Sequence, residues 1–422
     1  MGIPLYAVGG FVRDSLLGRD CSDIDLASAF TPDELDAFLT QRGISHKLTC
    51  ARLGTVVIAL ESGRYEHTTF RRESYGAGGG HEPVSVAFTK SLKEDAKRRD
   101  FSVNALYLEL DSGELIDPVA GCRDIEKKLL RTTTFDPYRI LSDDGLRIMR
   151  LARFTAQLGF ETEENTLVCA KENAVLLGDI APERKRDELM KLLGQDDVLK
   201  GLEMMSKLDG WRYVIPELDA CKGLKQQHKY HIFDVQGHCF HVCAELPKDD
   251  VVLRLAGLIH DLAKGVGEWR NHDVVGEGMA RAVMERLRFD RGSINRVCAI
   301  VRDHMYDMPR DELDEETVRK RFASWGRVHT KELLQFRDAD IKGCGGGTMR
   351  LCNRAELYND MLRRNTPFAL SELKLSGTEL MNELHMQGGE RVGELLNELW
   401  MHCAVHPEDN ETAALLALSH SL

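Results

Sequence analysis

Apolar and polar positions alternate in short runs over the first part of the chain and give way to helical spacing from about residue 135. "TVVIALES" and "RYEHTTF" have the period of two that strands show, and the Ser62-Gly63 pair between them reads as a tight turn, so this stretch predicts a hairpin. "NALYLELDSGELIDP" predicts a second hairpin around Asp111, Ser112 and Gly113. Further on, "LRIMRLARFTAQLGF" and "VVLRLAGLIHDLAKG" repeat their apolar residues at helical intervals. The pattern predicts an α/β or α+β first part followed by an almost entirely helical remainder. "GAGGGH" at 76–81 reads as a flexible loop inside the first part, and "KGCGGG" at 342–347 as a joint before a final helical segment. No internal repeat or low-complexity tract interrupts these patterns.

A chain of 422 residues is too long for one ordinary core, so two to four domains are expected. With 43% hydrophobic and 29% charged residues it is globular in composition, and no apolar stretch reaches the length of a membrane span. The start, "MGIPLYAVGG", has no basic segment and no long apolar core, which argues against a secretory signal. Eleven cysteines without the spacing of a disulfide framework fit a reducing compartment, and the expected location is the cytoplasm. The net charge of −12 excludes general non-specific nucleic-acid binding, because a polyanion would be held only through localised basic patches.

Chemistry enters at "CSDIDLAS". In a strand Asp23 and Asp25 would project from one face while Ile24 and Leu26 face the core, and their repulsion is relieved if a divalent cation sits between them. Hard oxygen ligands on a short rigid element suit Mg²⁺, which shares its shell with substrate phosphates. A lone D-x-D is more often a solvated turn, but the residues before it shift the balance. "LYAVGGFVRDSLLG" reads as a buried strand, two glycines, and a helix carrying Arg13 and Asp14 in its first turns. Amides at such a turn form an anion site, to which Arg13 adds a cationic fork. The P-loop pattern and the third glycine of a dinucleotide fold are both missing, so neither reading survives. Glu66 in "RYEHTTF" offers a third carboxylate from a neighbouring strand.

The ordered set "GGFVRDSLLG", "DIDLA", "YEHTTFR", "KRRDFSVNALY", "DPVAGCRDIEKKLLR", "DDGLRIMRLARF" and "PERKRDELMKLL" resembles the class II tRNA nucleotidyltransferases (CCA-adding enzymes) and the related bacterial poly(A) polymerases, of the DNA polymerase beta superfamily. The resemblance implies an α+β polymerase-beta-like nucleotidyltransferase head over 1–134, an all-α neck over 135–210, an HD-type helical body over 211–345 and a helical tail over 346–422. It further implies that Gly10 and Arg13 contact the nucleotide triphosphate and that Asp23 and Asp25 hold Mg²⁺ with Glu66 as third carboxylate. Arg99 would touch bound nucleotide. The reaction implied is template-independent addition of C, C and A to the 3′ end of tRNA from CTP and ATP, with pyrophosphate leaving.

"DDGLRIMRLARF" shows how bases could be chosen without a template. On a helix Asp144, Arg147, Arg150 and Arg153 recur every three residues and share one side. Cytosine and adenine both present an amino donor beside a ring-nitrogen acceptor, and guanine and uracil present the reverse. A carboxylate accepting from the amino group and a guanidinium donating to the ring nitrogen therefore selects C and A. In similar enzymes Asp144 and Arg147 would have that role, with Arg150 and Arg153 near the triphosphate. The chain departs from the family's E-D-x-x-R in having Asp143 before Asp144, which shortens the first acid, and Gly145 suggests that the helix starts near there.

"VQGHCFHVCAEL", "LAGLIHDLAKG", "RNHDVVGEGMA", "VRDHM" and "FRDADIKG" resemble, in order, an HD phosphohydrolase domain. The resemblance implies that His238, His260, Asp261 and Asp340 bind one divalent ion and that His272 with His304 hold a second. Imidazole and carboxylate ligands suit Mn, Ni, Co or Fe, and the implied reaction is hydrolysis of phosphate esters at RNA ends. A zinc site from His238, Cys239, His241 and Cys243 is disfavoured, because four ligands within six residues of one helix cannot readily converge, so Cys239 and Cys243 read as core. His241 in place of His238 is an open alternative. Basic clusters at 182–191, 222–229 and 318–331 are candidate contacts for an RNA acceptor arm read through its backbone, although Glu183, Arg184 and Arg186 also suit active-site support. The retained loop at 76–81 argues against an enzyme adding only cytidines. An A-adding enzyme or a poly(A) polymerase is the rival within the family, and an HD phosphohydrolase with an RNA-binding head is the rival outside it, disfavoured by intact Asp23 and Asp25.

Overall fold

The computed structural model describes residues 3–21, 23–76, 83–226, 231–306, 314–345 and 354–422. Residues 77–81 of the glycine-rich loop, 227–229 of one basic cluster and 346–347 of the predicted joint lie outside the described residues. The chain divides into two units, Met1–Ala220 with Val283–Phe289, and Cys221–Ala282 with Asp290–Leu422.

In the first unit, β1 (Leu5–Val8) leads through Gly9 into α1 (Gly10–Leu16), followed by β2 (Asp25–Ser28) and α2 (Pro32–Gln41). Gly9 has φ 72°, a conformation that favours glycine and lets the chain reverse from strand to helix in one residue. β3 (Ser45–Cys50), β4 (Thr55–Leu60) and β5 (Gly63–Thr69) complete one side of the sheet. The predicted hairpin across Ser62-Gly63 is present, with Leu60 opposite Gly63. β6 (Arg71–Ser74) pairs with β7 (Ser85–Phe88) as a separate ribbon, and α3 (Leu92–Lys97) follows. β8 (Tyr107–Glu109) and β9 (Leu115–Ile116) form the second predicted hairpin.

The seven-stranded sheet runs β3-β4-β5-β2-β1-β8-β9. Its one parallel pair is β2 with β5, which puts Asp25 opposite Glu66. Val8, Ala27, Phe70, Ala96, Ala105 and Tyr107 make one core patch on it. The structure corrects one sequence expectation here: β2 starts at Asp25, so Asp23 belongs to the segment before the strand.

After α4 (Gly121–Glu126), the short β10 (Leu129–Leu130) pairs in parallel with β11 (Glu161–Thr162), a two-residue strand that the helical pattern conceals. Helices α5 (Pro137–Asp143), α6 (Leu146–Leu158), α7 (Glu164–Glu172), α8 (Pro182–Leu193) and α9 (Val198–Lys207) follow, then the short α10 (Trp211–Val214) and α11 (Pro216–Asp219). A Cβ on Gly201 of α9 would lie 2.3 Å from Leu192 Cδ1 and 2.9 Å from the Ala152 carbonyl, so glycine is what lets α6, α8 and α9 pack this closely. A second correction concerns Asp144. It is the extended residue that ends α5, with φ −148° and ψ 107°, and α6 begins at Leu146, so Asp144 does not share a helix with Arg147. Gly145, which the sequence already marked as a helix start, is the break.

The second unit contains α12 (Val235–Glu245), α13 (Val251–Ile259), the first residues of α14 (His272–Arg286), α15 (Arg291–Asp303) and α16 (Glu315–Gly343). Asp234 caps α12 by accepting from the Gly237 amide, and α16 is two helices joined at Gly326, whose φ is 79°. Phe322, Leu333 and Met361 anchor the core between α16 and α17 (Arg354–Arg363). α18 (Gly377–Leu384), α19 (Glu390–Val405) and α20 (Thr412–Ser419) enclose a further apolar cluster. Among the described residues no helix is long and apolar enough to cross a membrane.

Candidate active site

A cavity of about 560 Å³ opens in the first unit. Gly10 and Arg13 of α1, Asp23, Asp25 and Arg99 line it together with Asp144, Arg147, Arg150 and Arg153. The turn after β1, the start of β2 and the arginine-bearing side of α6 thus converge on one space. Glu66 is not among the lining residues, but its charge reaches Asp25 from the neighbouring strand.

Asp25 is solvent-exposed yet recessed at this cavity, and its carboxyl is raised to about 6 by partial desolvation and then by Asp23 and Glu66, with Arg99 opposing. Carboxylates gathered in this way are the donor set a hard divalent cation neutralises, so these residues fit Mg²⁺. Arg13 is buried, gives Asp14 two hydrogen bonds at 2.9 and 2.7 Å and donates a third to Asn104 Oδ1. Its fork is therefore fixed before any nucleotide arrives. Arg99 donates to the Tyr107 hydroxyl at 3.0 Å and pairs with Asp95.

The four residues of the predicted stripe have separate supports. Asp144 accepts from Arg184 on both oxygens, at 3.3 and 2.8 Å, and from the Leu146 amide at 3.1 Å. Arg147 is buried and donates to the carbonyls of Ile140 at 2.6 Å and Arg98 at 2.7 Å. Arg150 donates to Asp100 at 2.7 Å, and although burial pushes Asp100 upward, Arg150 and the Phe101 amide hold it at about 2. Arg153 donates to Glu188 at 2.5 Å. Asp143 lines a different cavity, beside Arg139 and Phe135, so the support of Asp144 comes from Arg184 rather than from the preceding acid. The basic cluster 182–191 is accordingly spent in part on internal bonds, since Lys185 also donates to the Leu177 carbonyl. In the cluster 318–331, Arg319 pairs with Asp360, Lys320 with Glu316 and Arg327 with Glu372.

The second unit brings all six predicted HD residues together. His238 Nε2 lies 3.0 Å from Asp340 Oδ1 and 3.6 Å from Asp261 Oδ2, and His260 Nε2 is 3.4 Å from the same Asp261 oxygen. The other oxygen of Asp261 faces His272 Nε2 at 3.5 Å and His304 Nε2 at 4.0 Å. Asp261 therefore divides the cluster into two metal-sized groups, His238–His260–Asp261 and Asp261–His272–His304. The Nδ1 atoms of His260, His272 and His304 face the carbonyls of Gly257, Trp269 and Val301, at 2.9, 3.0 and 2.6 Å. A carbonyl only accepts, so each Nδ1 carries the proton and each Nε2 presents a lone pair to the cluster. Burial lowers His304 to about 3, keeping it neutral, and leaves its Nε2 and Asp261 Oδ1 without hydrogen-bond partners. Orphaned donors of this kind fit divalent cations.

Cys239 and Cys243 are fully buried core residues, and the His241 ring stacks on Phe233, which leaves His238 in the cluster. Sequence reasoning missed Lys264, whose Nζ lies 2.5 Å from Asp261 Oδ2, and Asn104, which holds Arg13. The i,i+3 spacing of Asp261 and Lys264 on one helical turn was the available signal for the first; the second is a contact between residues 91 apart, with no local signal.

Three family models match the chain: the Poly A polymerase head domain over residues 5–131, the probable RNA and SrmB-binding site of polymerase A over 159–222, and the HD domain over 229–341. The chain is 41% identical over 228 residues to a CCA-adding enzyme of Limosilactobacillus fermentum, a match that covers 53% of each. It thus spans about half the length of the curated relatives it matches at this level. A CCA-adding enzyme of Enterococcus faecalis is 27% identical over 430 residues, covering 99% of this chain and 92% of the relative. Among solved structures, the Bacillus stearothermophilus CCA-adding enzyme in complex with CTP superposes with a TM-score of 0.72 at 25% identity, over 100% of this chain and 93% of that one.

Proposed function

The chain belongs to the family of tRNA nucleotidyltransferases and poly(A) polymerases that carry an HD domain, and from that premise we propose that it adds C, C and A to the 3′ end of tRNA, using CTP and ATP. The observation that carries this reading is the single cavity in which the acids Asp23 and Asp25 and the base-reading candidates Asp144 and Arg147 meet.

In this reading the glycine turn at Gly9 and Gly10 and the fixed guanidinium of Arg13 receive the triphosphate, with Arg99, Arg150 and Arg153 neutralising its remaining charge. Asp23, Asp25 and Glu66 hold Mg²⁺, which when bound lowers the pKa of the attacking 3′-hydroxyl and offsets charge on the departing pyrophosphate. Asp144 accepts a hydrogen bond from the amino group of cytosine or adenine, and Arg147 donates to the adjacent ring nitrogen. Guanine or uracil would set a carbonyl against the Asp144 carboxylate and a ring N–H against the Arg147 guanidinium, at about 1–3 kcal/mol for each unsatisfied group. Because Arg184 and two backbone carbonyls fix this pair beforehand, little ordering is left to the binding step.

We assign residues 1–134 to transfer, 135–210 to base recognition, 211–345 to the HD body and 346–422 to the tail. The HD cluster supports hydrolysis of phosphate esters at RNA ends: His238, His260, Asp261 and Asp340 hold one ion of the Mn, Ni, Co or Fe class and His272 with His304 a second, the ions supplying an activated water. Free cysteines throughout the described residues support a cytoplasmic setting.

Labelled CTP and ATP offered to tRNAs that end before the first C, after it and after the second test the proposal. Incorporation of C into the shortest tRNA is expected; A alone, or long A tracts, would select the narrower enzyme or the polymerase instead. Asp25→Ala should abolish addition and spare hydrolysis, whereas loss of both would contradict two separate sites.

A further inference from the structure

A third cluster of metal-ligating side chains lies in the second unit and shares only His238 with the HD set. One donor atom from each of His231, His238 and Cys344 falls within 4.8 Å of the other two. We propose that these three residues hold a borderline divalent ion of the zinc, cobalt or nickel class, at a site additional to the HD ions.

Two features of the imidazoles point to a ligand. Three HD histidines use Nδ1 to bind a backbone carbonyl three residues back, but His238, 1% exposed, has a buried Nδ1 with no hydrogen-bond partner. His231 Nδ1 is buried and unpartnered in the same way, and the two rings meet edge to face at 5.0 Å. Leaving two adjacent ring nitrogens unsatisfied is costly, and a cation satisfies both at once. Cys344 adds a thiol whose Sγ now donates to the Asp340 carbonyl at 3.3 Å. On binding, the S–H proton leaves to solvent and a sulfur–metal bond replaces it.

The backbone sets these donors in place. The Ile232 amide donates to the Cys344 carbonyl at 3.1 Å, and His231 bridges to Gly345, so the segment ahead of α12 is tied to the end of α16 without help from the side chains. His231 also lines a cavity of about 390 Å³, which gives an ion a route in. Two imidazoles and a thiolate suit zinc-like ions and leave one tetrahedral position for water. His238 Nε2 faces Asp340 while its Nδ1 is the unpartnered nitrogen, so the HD ion and this one would draw on opposite nitrogens of the same ring.

The test uses the full chain, stripped with chelator and reloaded with Co²⁺ alone. Wild type should show sulfur-to-cobalt charge-transfer absorption and bind one equivalent more cobalt than Cys344→Ser. The band should persist in Asp261→Asn and need at least tenfold more cobalt in His231→Ala. Absence of the band in wild type, which requires no variant, overturns the proposal. So does a band that survives Cys344→Ser, equal stoichiometry in the two proteins, or a band lost with Asp261→Asn in a chain whose circular dichroism is unchanged. C addition to tRNA, measured on the same samples, is independent of Cys344, and its failure alone would count only against nucleotidyl transfer.

Discussion

Asp25 makes metal loading of the transfer site dependent on pH. Its carboxyl is raised to about 6, and only the carboxylate form binds a divalent cation. Protonation then multiplies the apparent dissociation constant by one plus ten to the power of pKa minus pH. That factor is about 1.1 at pH 7, about 2 at pH 6 and about 11 at pH 5, so affinity falls roughly tenfold between pH 7 and pH 5. An aspartate at its ordinary pKa of about 3.9 would change by less than about 1.2-fold over the same range. The assay is Mn²⁺ binding followed by electron paramagnetic resonance of the free ion, without nucleotide so that triphosphate protonation does not intrude. An Asp261→Asn background weakens the competing HD site, and Asp25→Asn supplies the blank. Glu66→Gln removes one of the charges that raises Asp25, so its affinity should be lower overall but less sensitive to pH. If the wild-type constants at pH 5 and pH 7 agree within twofold, the desolvation of Asp25 and its crowding by Asp23 and Glu66 have been misread.

Arg184→Ala removes two charge-assisted bonds from a partly exposed Asp144, worth about 1–2 kcal/mol together, so kcat/KM for CTP should fall about 5- to 30-fold while Arg184→Lys recovers part of the loss. An unchanged CTP profile would show that Asp144 needs no such support. Arg147→Met strands the carbonyls of Ile140 and Arg98 and should cost about 2–4 kcal/mol in urea unfolding, measurable without substrate. Gly201→Ala forces a methyl against Leu192 and Ala152, which should destabilise the first unit by about 1–3 kcal/mol; a raised melting temperature would refute the packing described. His304 is held neutral in the fold at about 3 against about 6.5 when unfolded, so the unfolded chain takes up more protons between those values. Stability of chelated protein should therefore decline as pH drops below about 6.5, and His304→Asn should flatten that decline.

The hairpins, the turn at Gly9 and Gly10 and the α6 apolar face were legible because each is written in a local period or a turn pair. The HD histidines were legible as a set of spaced motifs, and the fold brings all of them to one place. Asp144 was misplaced because a three-residue interval looks helical even where Gly145 interrupts it, and the support of Asp144 by Arg184 spans 40 residues. In the basic cluster 318–331 the sequence shows charge but not its partners: Asp360 and Glu372, which pair with Arg319 and Arg327, are 41 and 45 residues away. Long-range pairing of this kind is what a one-dimensional pattern cannot carry.

Asp25 and Glu66 stand opposite each other on adjacent parallel strands, so the gap between their backbones is the fixed interstrand step of about 4.8 Å. The ruler that spaces these acids is the peptide ladder itself, indifferent to the side chains around it. Inserting a single residue into β5 would turn Glu66 to the opposite face, whereas drift in neighbouring side chains leaves the gauge untouched.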